Sequence, residues 1–318
     1  MNYDCIIIGA GPAGLSAALH LAFHQRSVLL IDRRTGPLPF TLTQLYNVPG
    51  FDHERGVDIV KRMEKQALAA GAKLERGNAV RLGGTVGAFE LELENGVTHQ
   101  AKTVLLATGV ARYHPLIGGQ YEPFLKYAAK GNTYYCADCE SPELLGKHIV
   151  VIGVGGANSA VAESLPLLEF AASIRLLLTG GTDFKPEYAT KLEQHKLEVL
   201  HGAIASIEGS RGMISALILE DGTRVTADGF YVSSPKFPRN QLAAQLGLEL
   251  TERGHIKTGW RGQTKLSGQP DGEWFAGVWA GDVQPQTQQV SIAAGSGNIA
   301  AVMIDQYLQK NAPRLLGL

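Results

Sequence analysis

The sequence is poor in cysteine, in net charge and in long apolar stretches, and each shortage removes a class of protein. Three cysteines in 318 residues are too few for the disulfide framework of a secreted domain. A formal net charge of -1 supplies no sequence-independent field for nucleic acid or for an anionic membrane surface. No run of about eighteen apolar residues is available to span a membrane. The amino terminus runs straight into Tyr3-Asp4-Cys5-Ile6-Ile7-Ile8 without a basic start or a cleavage site, so a cytoplasmic location is expected. The nine histidines show no metal-ligand spacing. His20 and His24 lie four apart with no cysteine or acid partner nearby in the sequence, and no metal site is expected. Hydrophobic residues at 45% and charged residues at 19% describe an ordinary globular chain, long enough to need two cores and therefore two domains.

What is present is a close thiol pair between two glycine-rich turns. Cys136-Ala137-Asp138-Cys139-Glu140 sets two thiols three residues apart, near enough to close a small ring and exchange two electrons with little backbone movement. In a reducing compartment such a pair is more often catalytic or metal-binding than structural, and the want of further cysteine or a neighbouring histidine argues against zinc. Two buried, inert thiols are the alternative. Cys5, inside an apolar strand, reads as core. Asp138, inside the pair, either raises a thiolate pKa by like-charge repulsion or points to solvent.

Upstream, an apolar run over 4–8 ends at Gly9, and 15–23 carries helical spacing. In Gly9-Ala10-Gly11-Pro12-Ala13-Gly14, Gly9 allows the tight turn, Gly11 admits a pyrophosphate to the backbone, and Gly14 lets the helix pack on the strand, with the helix amino terminus facing the phosphates. The next strand, 27–31, ends at Asp32-Arg33, where the acid can accept from a ribose hydroxyl. Near the end of the chain, a strand over 274–280 stops at Gly281-Asp282 before a helix over 291–308. Such an acid can bond a polyol while the helix dipole faces a ring oxygen; a mere helix cap is the other reading of Asp282. Between these halves lies a second strand, 147–152, then Gly153-Val154-Gly155-Gly156-Ala157-Asn158-Ser159 and a helix over 159–168 that Pro166 ends or kinks. Strands over 173–178 and 225–233 complete the unit. The fold class is α/β, with two Rossmann-like, three-layer nucleotide-binding domains, and a thiol pair between them suggests a disulfide oxidoreductase.

Over nearly its whole length the chain resembles the low-molecular-weight thioredoxin reductases. The likeness rests on the first fingerprint, on Asn47-Val48-Pro49-Gly50, on Ala107-Thr108-Gly109 after an apolar strand, on Gly281-Asp282-Val283, and on Gln289-Val290-Ser291 leading to Ala294-Gly295-Ser296-Gly297. Val48 stands where that family usually has an aromatic residue. The resemblance implies one domain inserted in the other: an FAD-binding domain of 1–113 and 244–318, and a central domain of 114–243. It implies FAD on Gly9, Gly11, Pro12, Ala13, Gly14, Asp32, Arg33, Asn47, Ala107, Thr108, Gly109, Gly281, Asp282, Gln289, Val290 and Ser291. Ala294 to Gly297 would open the last helix. It implies that Cys139 faces the flavin, that Glu140 shuttles a proton where the family usually has Asp, that thioredoxin or another protein disulfide is the acceptor, and that the chain is a homodimer. Linkers near 114–119 and 234–239 would let the domains rotate.

The second fingerprint departs from the family pattern. The turn is longer by about two residues, and the strand over 173–178 runs into Thr179-Gly180-Gly181-Thr182-Asp183-Phe184-Lys185 without the arginine cluster that holds a 2'-phosphate or an acid at the strand end for NAD. Asn158 stands where the third glycine belongs and would push the helix off the strand. NADPH use is therefore not expected. A second FAD in the pocket of Gly153, Gly155, Gly156, Ala157, Asn158 and Ser159 is placed slightly ahead of ferredoxin as the source of electrons. The competing functional class is a flavin-binding redox sensor or docking protein without turnover.

Overall fold

The stretches 5–8 and 28–31 are apolar without alternation because both faces of a parallel sheet are covered. In the computed structural model, which describes residues 2–312, Asn2–Ile8 lies between Val28–Asp32 and Thr98–Leu106, parallel to both. Lys73–Arg76 and Phe275–Ala280 extend this parallel core on its two sides. One face is covered by Leu82, Phe89, Leu91 and Leu93 of an antiparallel hairpin, which pack with Ile6, Ile8, Leu29, Ile31, Val104 and Leu106. Against the other face runs the helix Pro12–Phe23, whose Gly14 approaches Ile7. The helix Val290–Asn311 packs on it. Gly297 is required there, since a Cβ would lie 2.0 Å from the Ala13 carbonyl oxygen.

The central sheet is parallel throughout, in the order Thr133–Tyr134, Gly229–Ser233, His148–Gly153, Ser173–Leu178, Glu198–His201. Ile149, Val151, Leu176 and Leu178 pack against the helix Ala157–Ser164, while Val150, Ile152, Leu177 and Phe230 pack under a three-stranded antiparallel sheet. The helix stops at Ser164 and continues as a 3-10 turn, Pro166–Glu169, because Pro166 has no N–H to continue the α ladder.

The chain divides into two compact units, one of Met1–Pro39, Asp58–Ala111 and Phe237–Leu318, the other of Phe40–Val57 and Arg112–Lys236. This differs from the sequence-based boundaries chiefly at Phe40–Val57. That segment is tied to the second unit by backbone bonds from the Leu42 N–H to the Ala129 carbonyl (2.9 Å) and from the Tyr46 N–H to the Cys139 carbonyl (2.9 Å). Among the described residues no helix is long and apolar enough to cross a membrane, and no group of three or more potential metal ligands occurs. His24 does have an acid within 3.5 Å, Asp305 of the last long helix, which is held mainly by the Arg26 guanidinium at 2.6 Å.

Candidate active site

The first glycine turn sits at the carboxyl ends of the parallel strands, and its three glycines do three different things. Gly9 has φ of +109°, and a Cβ there would lie 2.2 Å from the Ala107 carbonyl oxygen. A Cβ on Gly14 would lie 1.8 Å from the Gly9 carbonyl oxygen, so the helix can meet the turn only with glycine. Gly11 meets nothing within 4 Å; here the want of a side chain leaves backbone open to a ligand. Asp32 braces this turn: Oδ1 accepts from the Ala10 N–H (3.3 Å) and Oδ2 from the Arg34 N–H (3.1 Å) and Arg76. A carboxylate has about four acceptor positions, so these three donors leave room for a hydroxyl. Arg33 bonds Thr35 and Asn78.

The neighbouring strand ends supply the rest of this unit's cluster. The Ala107 N–H donates to the Ile8 carbonyl, and the Thr108 hydroxyl donates to the Arg239 carbonyl at 2.6 Å. A Cβ on Gly109 would stand 4.0 Å from Asp282 Oδ2, and one on Gly281 would meet the Ala13 methyl at 3.1 Å. Pro12 opens the first helix and Gln289 caps the last, which begins Val290-Ser291. Asp282 is not that cap; its Oδ1 accepts from Gln286 Nε2 at 2.9 Å. Ala294 to Gly297 lies inside the helix rather than opening it, because the helical bonding already begins at Val290.

In the second unit, Cys136 and Cys139 form a disulfide with Cα atoms 5.2 Å apart. Cys136 is extended and caps the short helix Ala137–Glu140. It is half-buried, Asp138 is exposed, and Cys139 is buried. Glu140, 2% exposed, folds its side chain back to the backbone that precedes its own helix. Its Oε2 accepts from the Tyr135 and Cys136 N–H groups, each at 2.8 Å, and its Oε1 accepts from the Thr43 hydroxyl. Burial pushes this carboxyl above the ordinary range, against the pull of those three donors and of Arg112. Arg112 donates to the Tyr135 carbonyl at 2.6 Å. Around them the Tyr46 hydroxyl donates to Glu143 (2.8 Å), that of Tyr135 meets His114 Nδ1 (2.8 Å), and that of Tyr231 reaches Glu163 (3.2 Å). Tyr134 is core, packed with Ile149 and Leu144. Cys5 is fully buried, and burial pushes its thiol up to about 12.

Residues 3–297 match the family model of pyridine nucleotide-disulphide oxidoreductases. The chain belongs to that family. It is 30% identical over 324 residues to the thioredoxin reductase of Mycolicibacterium smegmatis, covering 96% of each chain, and 28% identical over 323 residues to that of Bacillus subtilis strain 168, covering 97% of this chain and 95% of the relative. In fold it superposes on the thioredoxin reductase of Streptococcus pyogenes with a TM-score of 0.84 at 23% identity, over 97% of this chain and 98% of the other. The protein is a thioredoxin reductase-like, flavin-dependent disulfide oxidoreductase. Membership of the family implies FAD, and the open backbone at Gly11 between two glycines that packing forbids to be anything else fits a dinucleotide. Asn47, half-buried, lies on the Phe40–Val57 segment and so belongs to the second unit.

The family's second glycine turn is built differently here. Gly153 packs against Leu178 and Ala160, so Ala160 and not Asn158 faces the strand. Asn158 does not push the helix away. Its amide turns outward, accepting from the Lys185 N–H at 2.9 Å and donating to the Asp183 carbonyl at 3.4 Å, which folds the 179–185 loop onto the helix start. Gly156 caps that helix, Ala157 and Ser159 lie in its first turn, and Gly155, at φ of +85°, has the Pro235 ring 3.2 Å from the position a Cβ would take. Pro235, Thr43 and Arg112 were missed in the sequence. Of these only Pro235 carried a signal, as a ring directly after a strand that ends beside a glycine turn.

Proposed function

We propose that this enzyme reduces the Cys136–Cys139 disulfide with electrons from FAD held on the first glycine turn, and passes them to a protein disulfide. Thioredoxin, which gives its relatives their name, is the first candidate. The observation that carries the reading is Glu140: a buried carboxyl next in sequence to Cys139 and held by three donors, one of them the Cys136 N–H, with a pKa raised by burial. FAD, when bound, would supply the electron pair. Gly11 would leave the backbone free for the pyrophosphate, Asp32 and Asp282 would offer oxygens to hydroxyls, and Arg33, Ala107, Thr108, Gly109, Gly281, Gln289, Val290 and Ser291 would complete the contacts from the same unit. When the S–S bond breaks, two electrons and two protons give two thiols, and Glu140 Oε1 delivers one of those protons. Cys136, the more accessible sulfur, then attacks the partner disulfide, and Cys139 displaces the partner by closing the ring again.

The electrons come from a donor other than NADPH or NADH. The loop after Ser173–Leu178 has no arginine cluster, it is drawn down onto Asn158, and the Pro235 ring crowds Gly155. The same crowding favours a protein donor such as ferredoxin over a second FAD in that pocket. Anaerobic titration tests both parts. Dithionite should reduce flavin and disulfide together, and micromolar NADPH or NADH should leave the flavin yellow. Rapid bleaching by either nucleotide would overturn the choice of donor. Uptake that stopped at the flavin would favour a redox sensor.

A further inference from the structure

The two oxygens of Glu140 are not equivalent. Oε2 faces the Tyr135 and Cys136 N–H groups, which donate and cannot accept. A proton on Oε2 would take one of the acceptor positions those donors use and leave a part-buried amide without its partner. Oε1 faces only the Thr43 hydroxyl among its hydrogen-bond partners, and a hydroxyl can both donate and accept. Thr43 is 6% exposed, so bulk water does not compete for its place.

We propose that Thr43 is a positioning residue for proton transfer at the disulfide: its hydroxyl confines the proton carried by Glu140 to Oε1 and serves that oxygen in both charge states. This rests on the proposed role of Glu140 as proton carrier. With the carboxylate, Thr43 donates; with the acid, the Glu140 O–H donates and Thr43 accepts, so Oε1 keeps its partner as the proton comes and goes. In each turnover the S–S bond takes up two electrons from reduced flavin and two protons. The proton leaving Oε1 goes to the released thiolate, and the Thr43 hydroxyl rotates back to donate to Oε1. The other groups around Glu140 are the Arg112 guanidinium and the phenols of Tyr134, Tyr135 and Tyr231, with Glu143 behind Tyr46. None of these side chains hydrogen-bonds Glu140.

The test compares wild type, Thr43→Val, Thr43→Ser and Glu140→Gln as full-length flavoproteins. Infrared difference spectra recorded against pH report the protonated carboxyl of Glu140, identified by its loss in Glu140→Gln. Removing a donor from the charged form should raise the midpoint of that band by about one pH unit in Thr43→Val, and Thr43→Ser should restore it. Thr43→Ala is read in the same way should the valine protein not fold. A valine or alanine protein that titrates at the wild-type midpoint overturns the inference. The underlying reading is tested separately: Glu140→Gln should slow reduction of the disulfide by dithionite-reduced flavin on the order of a hundredfold. An unchanged rate would sink the proton-carrier role and the Thr43 inference with it, whereas a slowed rate with an unmoved midpoint removes Thr43 alone.

Discussion

The three cysteines differ in burial and so should differ in reactivity, because alkylation needs an accessible thiolate. After reduction with a dithiol, Cys136 is expected to react with iodoacetamide on the order of tenfold faster than Cys139, and Cys5 not at all in the native protein, its thiol being pushed up to about 12 by burial. Timed quenching and peptide mass spectrometry check this, and equal labelling of Cys136 and Cys139 would remove the assignment of Cys136 as the attacking sulfur. Glu140 makes a prediction about stability. Its carboxyl lies above the ordinary value of 4.5 in the folded protein, so between that value and the folded one the native state binds more protons than the unfolded chain. The stability it contributes is therefore present at low pH and is lost as pH rises through that window. Urea unfolding of wild type against Glu140→Gln should show the wild type losing ground as pH rises above 4.5; a gain would mean that the three donors outweigh burial.

Among the elements, the first glycine turn separates packing from ligand contact. Gly14→Ala would drive a methyl into the Gly9 carbonyl, 1.8 Å away, and is expected to cost about 3 kcal/mol or more and to yield little folded protein. Gly11→Ala meets open space, so the flavin-stripped protein should keep its urea midpoint within about 1 kcal/mol of wild-type stability while holding FAD more weakly. Unfolding curves together with flavin absorbance after desalting distinguish the two. This turn was legible in the sequence because strand, glycines and helix are consecutive, and every contact that defines Gly9 and Gly14 lies within the unit they open. The strand Ser173–Leu178 was legible for the similar reason that a short buried run ends at a glycine pair. Asn158 was not: glycine counting assigned it to the helix–strand contact, but Ala160 takes that place, and the partners that hold Asn158 outward, Asp183 and Lys185, are a loop away.

For the whole molecule, the least legible feature is the allegiance of Phe40–Val57. Composition marks only its turn, Val48-Pro49-Gly50-Phe51, which the Phe51 N–H closes on the Val48 carbonyl; the bonds that bind the segment to the second unit span about ninety positions and leave no local trace. The chain passes between the units at 39–40, 57–58, 111–112 and 236–237, and the last two crossings are made by short strands, Val110–Arg112 and Lys236–Pro238, that pair with each other. The family likeness leads us to expect a homodimer at micromolar concentration, and light scattering on a sizing column checks it, a monomer being the contrary result. The allegiance of Phe40–Val57 also governs how the redox module can be cut and grafted. A fragment trimmed to 112–236 would carry both cysteines and Glu140 but would leave Thr43 behind, so one oxygen of a buried carboxylate would lose its donor in a hybrid that looked complete by chain continuity. A transplantable module has to be assembled from two pieces of chain, with the loop around Thr43 and Tyr46 moved alongside the disulfide it supports.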